Sequence, residues 1–138
     1  LIREGQAGAE AGRFEESEQI YRRAIAVNPE AGLAQYNLGM LYDKQGKADE
    51  AFAQYRAAAV KRPQVPDLYL RLGEVYLGRG DFDRAIVTLG LVVELRGVST
   101  YLLPQAHCGI ARAYHSKGMT VEAAKAGERA GDECELGS

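Results

Sequence analysis

The stretch Tyr36-Asn37-Leu38-Gly39-Met40-Leu41-Tyr42 sets the pattern for the whole chain. It closes at Gly46, resumes through Ala51, Tyr55 and Ala58, and stops at Pro63. Moved on by 34 positions, the same skeleton reads Leu72-Gly73, Tyr76, Gly80, Ala85, Leu89 and Val92. Moved back by 34, it reads Gly12, Ser17, Tyr21, Ala24 and Pro29. A fixed period with small and large residues in set places marks a stack of helical hairpins. Antiparallel helices joined by a short turn approach closely only where small residues face each other. Gly39, Gly73 and Ala111 on the first helices, with Ala51, Ala85 and Ala123 on the second, supply that contact. Tyr42, Tyr76 and Tyr114, with Tyr21, Tyr55 and Leu89, fill the wider gaps. One hairpin cannot cover its own apolar faces, so the stack itself is the core.

Taken in order, the pattern predicts helices over Leu1–Ala11 and Phe14–Val27, then Gly32–Gln45 and Ala48–Lys61. Pro66–Arg79 and Phe82–Arg96 follow, and Gln105–Lys117 and Thr120–Glu133 come last. Gly12, Gly46, Gly80 and Gly118 stand at the reversals, where a helix ends on a left-handed residue. Asn28-Pro29 stops one helix because proline restricts the residue before it and cannot donate to the ladder. The last repeat is out of phase: Gly118 and Pro104 each lie 38 residues after Gly80 and Pro66. Four extra residues therefore enter near 97–103, either lengthening the preceding helix or bulging the loop. The repeats span about 1–31, 32–65, 66–99 and 104–137, the first lacking its opening residues. The start at Leu1-Ile2-Arg3, inside a helix, reads as a piece of a longer protein.

With 138 residues, 46% of them apolar and 26% charged, one domain with a sizeable core is expected. Net charge is −2, with 17 basic and 19 acidic residues interspersed, so no basic footprint for nucleic acid exists. No apolar run approaches the roughly 20 residues that would span a bilayer. Cys108 and Cys134 are too few for a disulfide scaffold, and the default expectation is a reducing, cytoplasmic setting.

On these landmarks the sequence resembles the tetratricopeptide repeat (TPR) family along essentially its whole length. The resemblance implies an all-α, right-handed α-solenoid of about four helix-turn-helix repeats, the first incomplete. It also implies a non-catalytic protein-interaction scaffold whose first helices line a groove for a peptide or a partner's helix. Carried over by pattern, the groove residues are Gln6, Leu33, Tyr36, Asn37, Met40, Lys44, Asp67, Leu70, Arg71, Glu74, Leu77, Cys108, Arg112 and His115. Leu38, Gly39 and Tyr42 are expected to pack, with Tyr36, Asn37 and Met40 turned the other way.

Two narrower readings come with it. A chaperone-type carboxylate clamp would use Asn37, Arg71 and, by substitution, Gln6. Ile2 and Asp67 replace its two lysines, however, and an acid repels a carboxylate. Alternatively the chain self-assembles through the small-residue end helices around Gly5–Gly8 and Gly127–Gly131, giving a homo-oligomer. Gly127 stands where Tyr55 and Leu89 stand earlier, so the last helix offers little for a further repeat to grip.

No enzyme, cofactor or metal site is expected. Cys108 and His115 share a helix face but lie about 10 Å apart along the axis, too far for a nucleophile and its base. His107 and Cys108 point about 100° apart and cannot chelate one zinc ion from a helix. The acid pairs Glu15-Glu16 and Asp49-Glu50 open helices, where they suit the positive end of the macrodipole.

Overall fold

The computed structural model describes residues 1–95, 101–131 and 134. Among them are eight α-helices and no strand: α1 (Ile2–Glu10), α2 (Phe14–Val27), α3 (Leu33–Lys44), α4 (Ala48–Val60), α5 (Pro66–Gly78), α6 (Phe82–Glu94), α7 (Leu102–Ser116) and α8 (Thr120–Ala130). They form consecutive hairpins in two compact units, Leu1–Pro63 and Gln64–Ser138. None of these helices is long and apolar enough to cross a membrane.

Each hairpin reverses in the same way. Gly46 takes φ 74°, and beyond it the Lys47 N–H donates to the Tyr42 carbonyl at 2.9 Å. The bonds from Arg13 to Gly8, Asp81 to Tyr76 and Met119 to Tyr114 repeat that closure, satisfying carbonyls that the helix end would leave unpaired.

In the N-terminal unit α1 packs on α2, α2 on α3, and α3 on α4, while α1 also reaches α3. The close approaches are glycine-for-ring exchanges. A Cβ on Gly39 would stand 2.6 Å from Tyr55 Cε1, and one on Gly5 would stand 2.5 Å from Tyr21 Cε1. Gly5 is thus the first member of the series that continues through Gly39 and Gly73. Gly8 likewise leaves room for Ser17, whose buried hydroxyl donates to the Gly5 carbonyl at 2.8 Å. In the C-terminal unit α5 packs on α6, α6 on α7, α5 on α7, and α7 on α8. Leu89 of α6, fully buried, fills two such gaps at once, against Gly73 of α5 and Gly109 of α7.

The four-residue insertion does not lengthen α6, which ends at Glu94 rather than Arg96, with Leu95 extended. Instead α7 starts at Leu102, so Pro104 sits inside its first turn instead of opening the helix as Pro66 opens α5. A proline is tolerated there because the first N–H groups of a helix have no intrahelical acceptor. Residue 96 of the expected sixth helix, 97–100 of the insertion and 132–133 of the expected last helix lie outside the described residues.

Candidate functional site

The first helices of the hairpins carry the residues that do not repeat, and each unit gathers some of them around one cleft. In the N-terminal unit a cleft of about 250 Å³ is lined by Gln6, Ala9, Glu10, Tyr21, Asn37, Met40, Leu41 and Lys44. Its amides are tied together: Gln6 Nε2 donates to Asn37 Oδ1 at 3.1 Å, and Asn37 Nδ2 donates to the Leu33 carbonyl at 2.9 Å. Asn37 is 2% exposed, so those two bonds fix its amide as part of the wall. Gln6 and Lys44 are exposed and Met40 is half-buried.

In the C-terminal unit a cleft of about 230 Å³ is lined by Glu74, Leu77, Pro104, Gln105, Cys108, Gly109, Arg112, Ala130 and Cys134. Glu74 keeps solvent contact, yet partial enclosure by the cleft walls raises its carboxyl above the ordinary range, opposed by the nearby charges of Arg71 and Arg112. Cys108 is bonded to Cys134, with 5.3 Å between their Cα atoms. No local pattern in the sequence marks that pairing, although two cysteines remain too few for a disulfide scaffold.

The fourteen residues expected to line a groove therefore divide. Gln6, Asn37, Met40 and Lys44 meet in one cleft, and Glu74, Leu77, Cys108 and Arg112 in the other. Leu33, Asp67, Arg71 and His115 are exposed and line neither. Tyr36 and Leu70 are each 6% exposed and pack, and the Tyr36 ring lies 6.1 Å from that of Tyr55. The idea of one packing face opposite one free face fails for α3 because the helix is buried on several sides. Its apolar residues lie all round it, as expected for a helix enclosed by neighbours. That distribution was the available warning in the sequence.

Pro104, Gln105, Ala130 and Cys134 are cleft residues that the repeat pattern did not indicate. The first three flank the out-of-phase insertion or the last helix turn, where register arguments are weakest. Gly5 and Gly8, proposed for contact between copies, are buried and occupied within the α1–α2 pair by Tyr21 and Ser17. His107 is half-buried, and burial followed by the charge of Arg129 lowers its pKa, consistent with packing. Among the described residues no group of three or more His, Cys, Asp or Glu side chains could hold a metal ion.

Comparison with known proteins supports the helical-repeat fold. Two family models described as tetratricopeptide repeat match residues 2–66 and 44–97, together well over half of the chain. Human tetratricopeptide repeat protein 7A is 26% identical over 102 residues, 74% of this chain but 12% of its own length. Anaphase-promoting complex subunit 3 of Schizosaccharomyces pombe is 34% identical over 73 residues, 53% of this chain and 11% of its length. A Pseudomonas putida protein named as a probable biofilm formation methyltransferase, WspC, is 32% identical over 77 residues, 56% of this chain and 18% of its length. The chain thus spans under a fifth of each of these relatives. Among solved structures, YrrB, described as a TPR protein with an unusual peptide-binding site, superposes with a TM-score of 0.78 at 21% identity, covering 94% of this chain and 64% of YrrB. A MamA structure superposes with a TM-score of 0.75 at 25% identity, covering 99% of this chain and 73% of MamA.

Proposed function

We propose that this chain, which belongs to the tetratricopeptide repeat family, is a non-catalytic protein-interaction scaffold that takes side chains of an extended peptide into the clefts of its first helices. The observation that carries the reading is the gathering of unrepeated residues at those two clefts. The repeated residues account for helix packing, so side chains that change from repeat to repeat are free to select a partner. Each cleft is smaller than the roughly 300–1,000 Å³ typical of small-molecule and cofactor sites. A volume of that order suits one or two side chains of a peptide. Met40 and Leu77 offer apolar contact, and Lys44, Gln105 and Arg112 offer charge and hydrogen bonds at the rims. An occupant with apolar anchors alternating with polar or acidic groups fits both.

The carboxylate clamp has less support. Gln6 and Asn37 hydrogen-bond each other, and Asp67 carries the wrong charge for a terminal carboxylate.

A displayed library of 12-residue random peptides, selected on the folded chain, tests the reading. Selected peptides should lose about tenfold in affinity with Lys44→Ala or Arg112→Ala, the order of one charge-assisted contact. Both side chains are exposed, so melting temperature should hold within a degree or two. Peptides that bind both variants as tightly as the parent would remove the clefts from the interaction. Tyr36→Ala is unsuitable for this purpose, since emptying that buried site would unfold part of the unit.

A further inference from the structure

We infer that the outward face of α6 docks a second copy of this chain, the two α6 helices lying antiparallel across a two-fold axis; the inference is independent of the clefts on the first helices.

The internal repeat shows what sets that face apart. Two periods earlier, α2 carries Glu18, Gln19, Arg22 and Arg23 at the positions that α6 fills with Ile86, Val87, Gly90 and Leu91. On α2 that surface is polar, and Arg22 is bonded to Glu18 and to the Tyr42 hydroxyl. On α6 each of the four is apolar or has no side chain. The packing of α6 does not call for them, because Ala85, Thr88, Leu89 and Val92 form its buried side. Val87 is 68% exposed and Leu91 39% exposed, with Ile86 half-buried beside them. Four residues apart, Val87 and Leu91 stand one above the other on the helix. A Cβ on Gly90 would meet nothing within 4 Å, so the surface next to them is open. Adjacent exposed apolar residues flanked by charge mark a contact with another molecule.

The ends of the stripe favour a second copy as that molecule. Arg84 lies about one turn before Val87, and Glu94 about one turn after Leu91. Residue 89 is the midpoint of both pairs, Val87 with Leu91 and Arg84 with Glu94. A two-fold axis crossing α6 at that level sets Val87 against the partner's Leu91. It also sets Arg84 against the partner's Glu94, and it does so twice per dimer. The stripe is thus complementary to itself, the condition for an isologous dimer. In the antiparallel arrangement the positive N-terminal end of each helix adjoins the partner's negative C-terminal end. Arg84 is engaged with Asp81 at 2.7 Å, but that pair is exposed and weak enough for Arg84 to turn to the partner. One helix stripe falls short of the roughly 1,200 Å² at which standard interfaces begin, so the dimer forms reversibly at micromolar or higher concentration.

Sedimentation velocity on the whole chain, from about 1 to 500 µM, tests the pairing. The weight-average mass should climb from the 15.0 kDa monomer toward the dimer and fall back on dilution. Val87→Glu should stay monomeric throughout. Arg84→Glu and Glu94→Arg should each weaken association about tenfold, since two attractions per dimer become two repulsions. Combining them reverses both partners at once and should restore the parent's affinity to within about threefold. Val60→Glu, at a similarly exposed valine of α4, should associate as the parent does. All four sites are exposed, so dilute samples of every variant should keep their helicity and melt within about two degrees of the parent. Three results overturn the inference. A parent that stays monomeric at the highest concentration leaves this face to a different protein. Val87→Glu associating like the parent places the contact elsewhere. A double variant no tighter than Arg84→Glu or Glu94→Arg alone rules out the antiparallel pairing.

Discussion

At Gly39 two opposed energies meet on one atom. Replacing glycine by alanine inside a helix ordinarily gains about 1 kcal/mol from reduced backbone freedom in the unfolded chain. Here the added methyl would stand 2.6 Å from Tyr55 Cε1 and 3.3 Å from the Ala51 carbonyl, and Tyr55 is fully buried with no room to retreat. Overpacking of that kind costs about 1–3 kcal/mol, so the steric term wins. Gly39→Ala should lower the melting temperature of the chain by several degrees. Gly90 of α6 supplies the control, because a Cβ there meets nothing within 4 Å. Gly90→Ala should stabilise by about 0.5–1 kcal/mol, close to the bare propensity gain. Thermal melts followed by circular dichroism decide both, and equal shifts in the two variants would mean that the glycine-to-ring contact is not what selects Gly39. The residue scale is also where sequence reading succeeded and failed most sharply. Gly39 and Gly73 were legible as close-approach residues because they recur, but the expected partners were Ala51 and Ala85, whereas the side chains that fill the glycine gaps are Tyr55 and Leu89. Gly5 was read as part of a contact between copies, because Tyr21 marks it as a packing residue only when the pair is read 16 residues apart. Tyr36 and Leu70 were misplaced for a different reason: alternation within one helix cannot reveal that neighbours enclose it on several sides.

At the scale of elements, α6 shows how a repeat array shares one side chain between neighbours. Leu89 lies against Gly73 of α5 on one side and Gly109 of α7 on the other, and is fully buried. Neither glycine has a side chain that could swing into space vacated at Leu89. The cost of Leu89→Ala should therefore fall toward the top of the range for buried leucines, about 4–5 kcal/mol, with little relaxation of the cavity. Urea unfolding followed by circular dichroism measures it; a loss under about 2 kcal/mol would show that α5 and α7 collapse onto the gap. The same element explains the limits of legibility around the insertion. Helix identities, turn glycines and the first five helix ends come within one or two residues of the sequence expectation, since local chemistry sets them. Where four residues are added, the period no longer constrains the chain, and α7 takes in Leu102 and Leu103 ahead of Pro104. The cleft residues Pro104 and Gln105 were missed there, and so was the disulfide, since two cysteines 26 residues apart carry no local pattern.

At the scale of the whole molecule, the two units contain acidic groups pushed in opposite directions, and this separates their responses to pH. In the N-terminal unit Glu18 accepts from the Tyr42 hydroxyl at 2.6 Å and from Arg22 at 3.0 Å. The Tyr42 bond, aided by Arg22, holds its carboxyl below the ordinary value of 4.5. Folding then favours the charged form, so its stabilisation is present above pH 4.5 and is lost as pH falls through the lower folded value. Glu74 in the C-terminal unit is shifted the other way: enclosure raises its carboxyl above 4.5, against the pull of Arg71 and Arg112. Folding there favours the protonated form, so a penalty present at neutral pH is relieved as pH falls through the raised value, completely so below 4.5. Asp81 in the same unit, held low by hydrogen bonding from Arg84, has the sign of Glu18, and single substitutions are needed to separate the contributions. Glu18→Gln should destabilise the N-terminal unit at pH 7, with the difference from the parent shrinking below pH 4.5. Glu74→Gln should stabilise the C-terminal unit at pH 7, and that difference should likewise vanish below pH 4.5. Hydrogen exchange resolved between residues 1–63 and 64–138 across pH 4 to 7 assigns each effect to its unit. A Glu74→Gln variant less stable than the parent at pH 7 would show that the arginine charges outweigh enclosure. In that case the cleft would already be organised around an ion pair, leaving less unsatisfied charge for an arriving peptide.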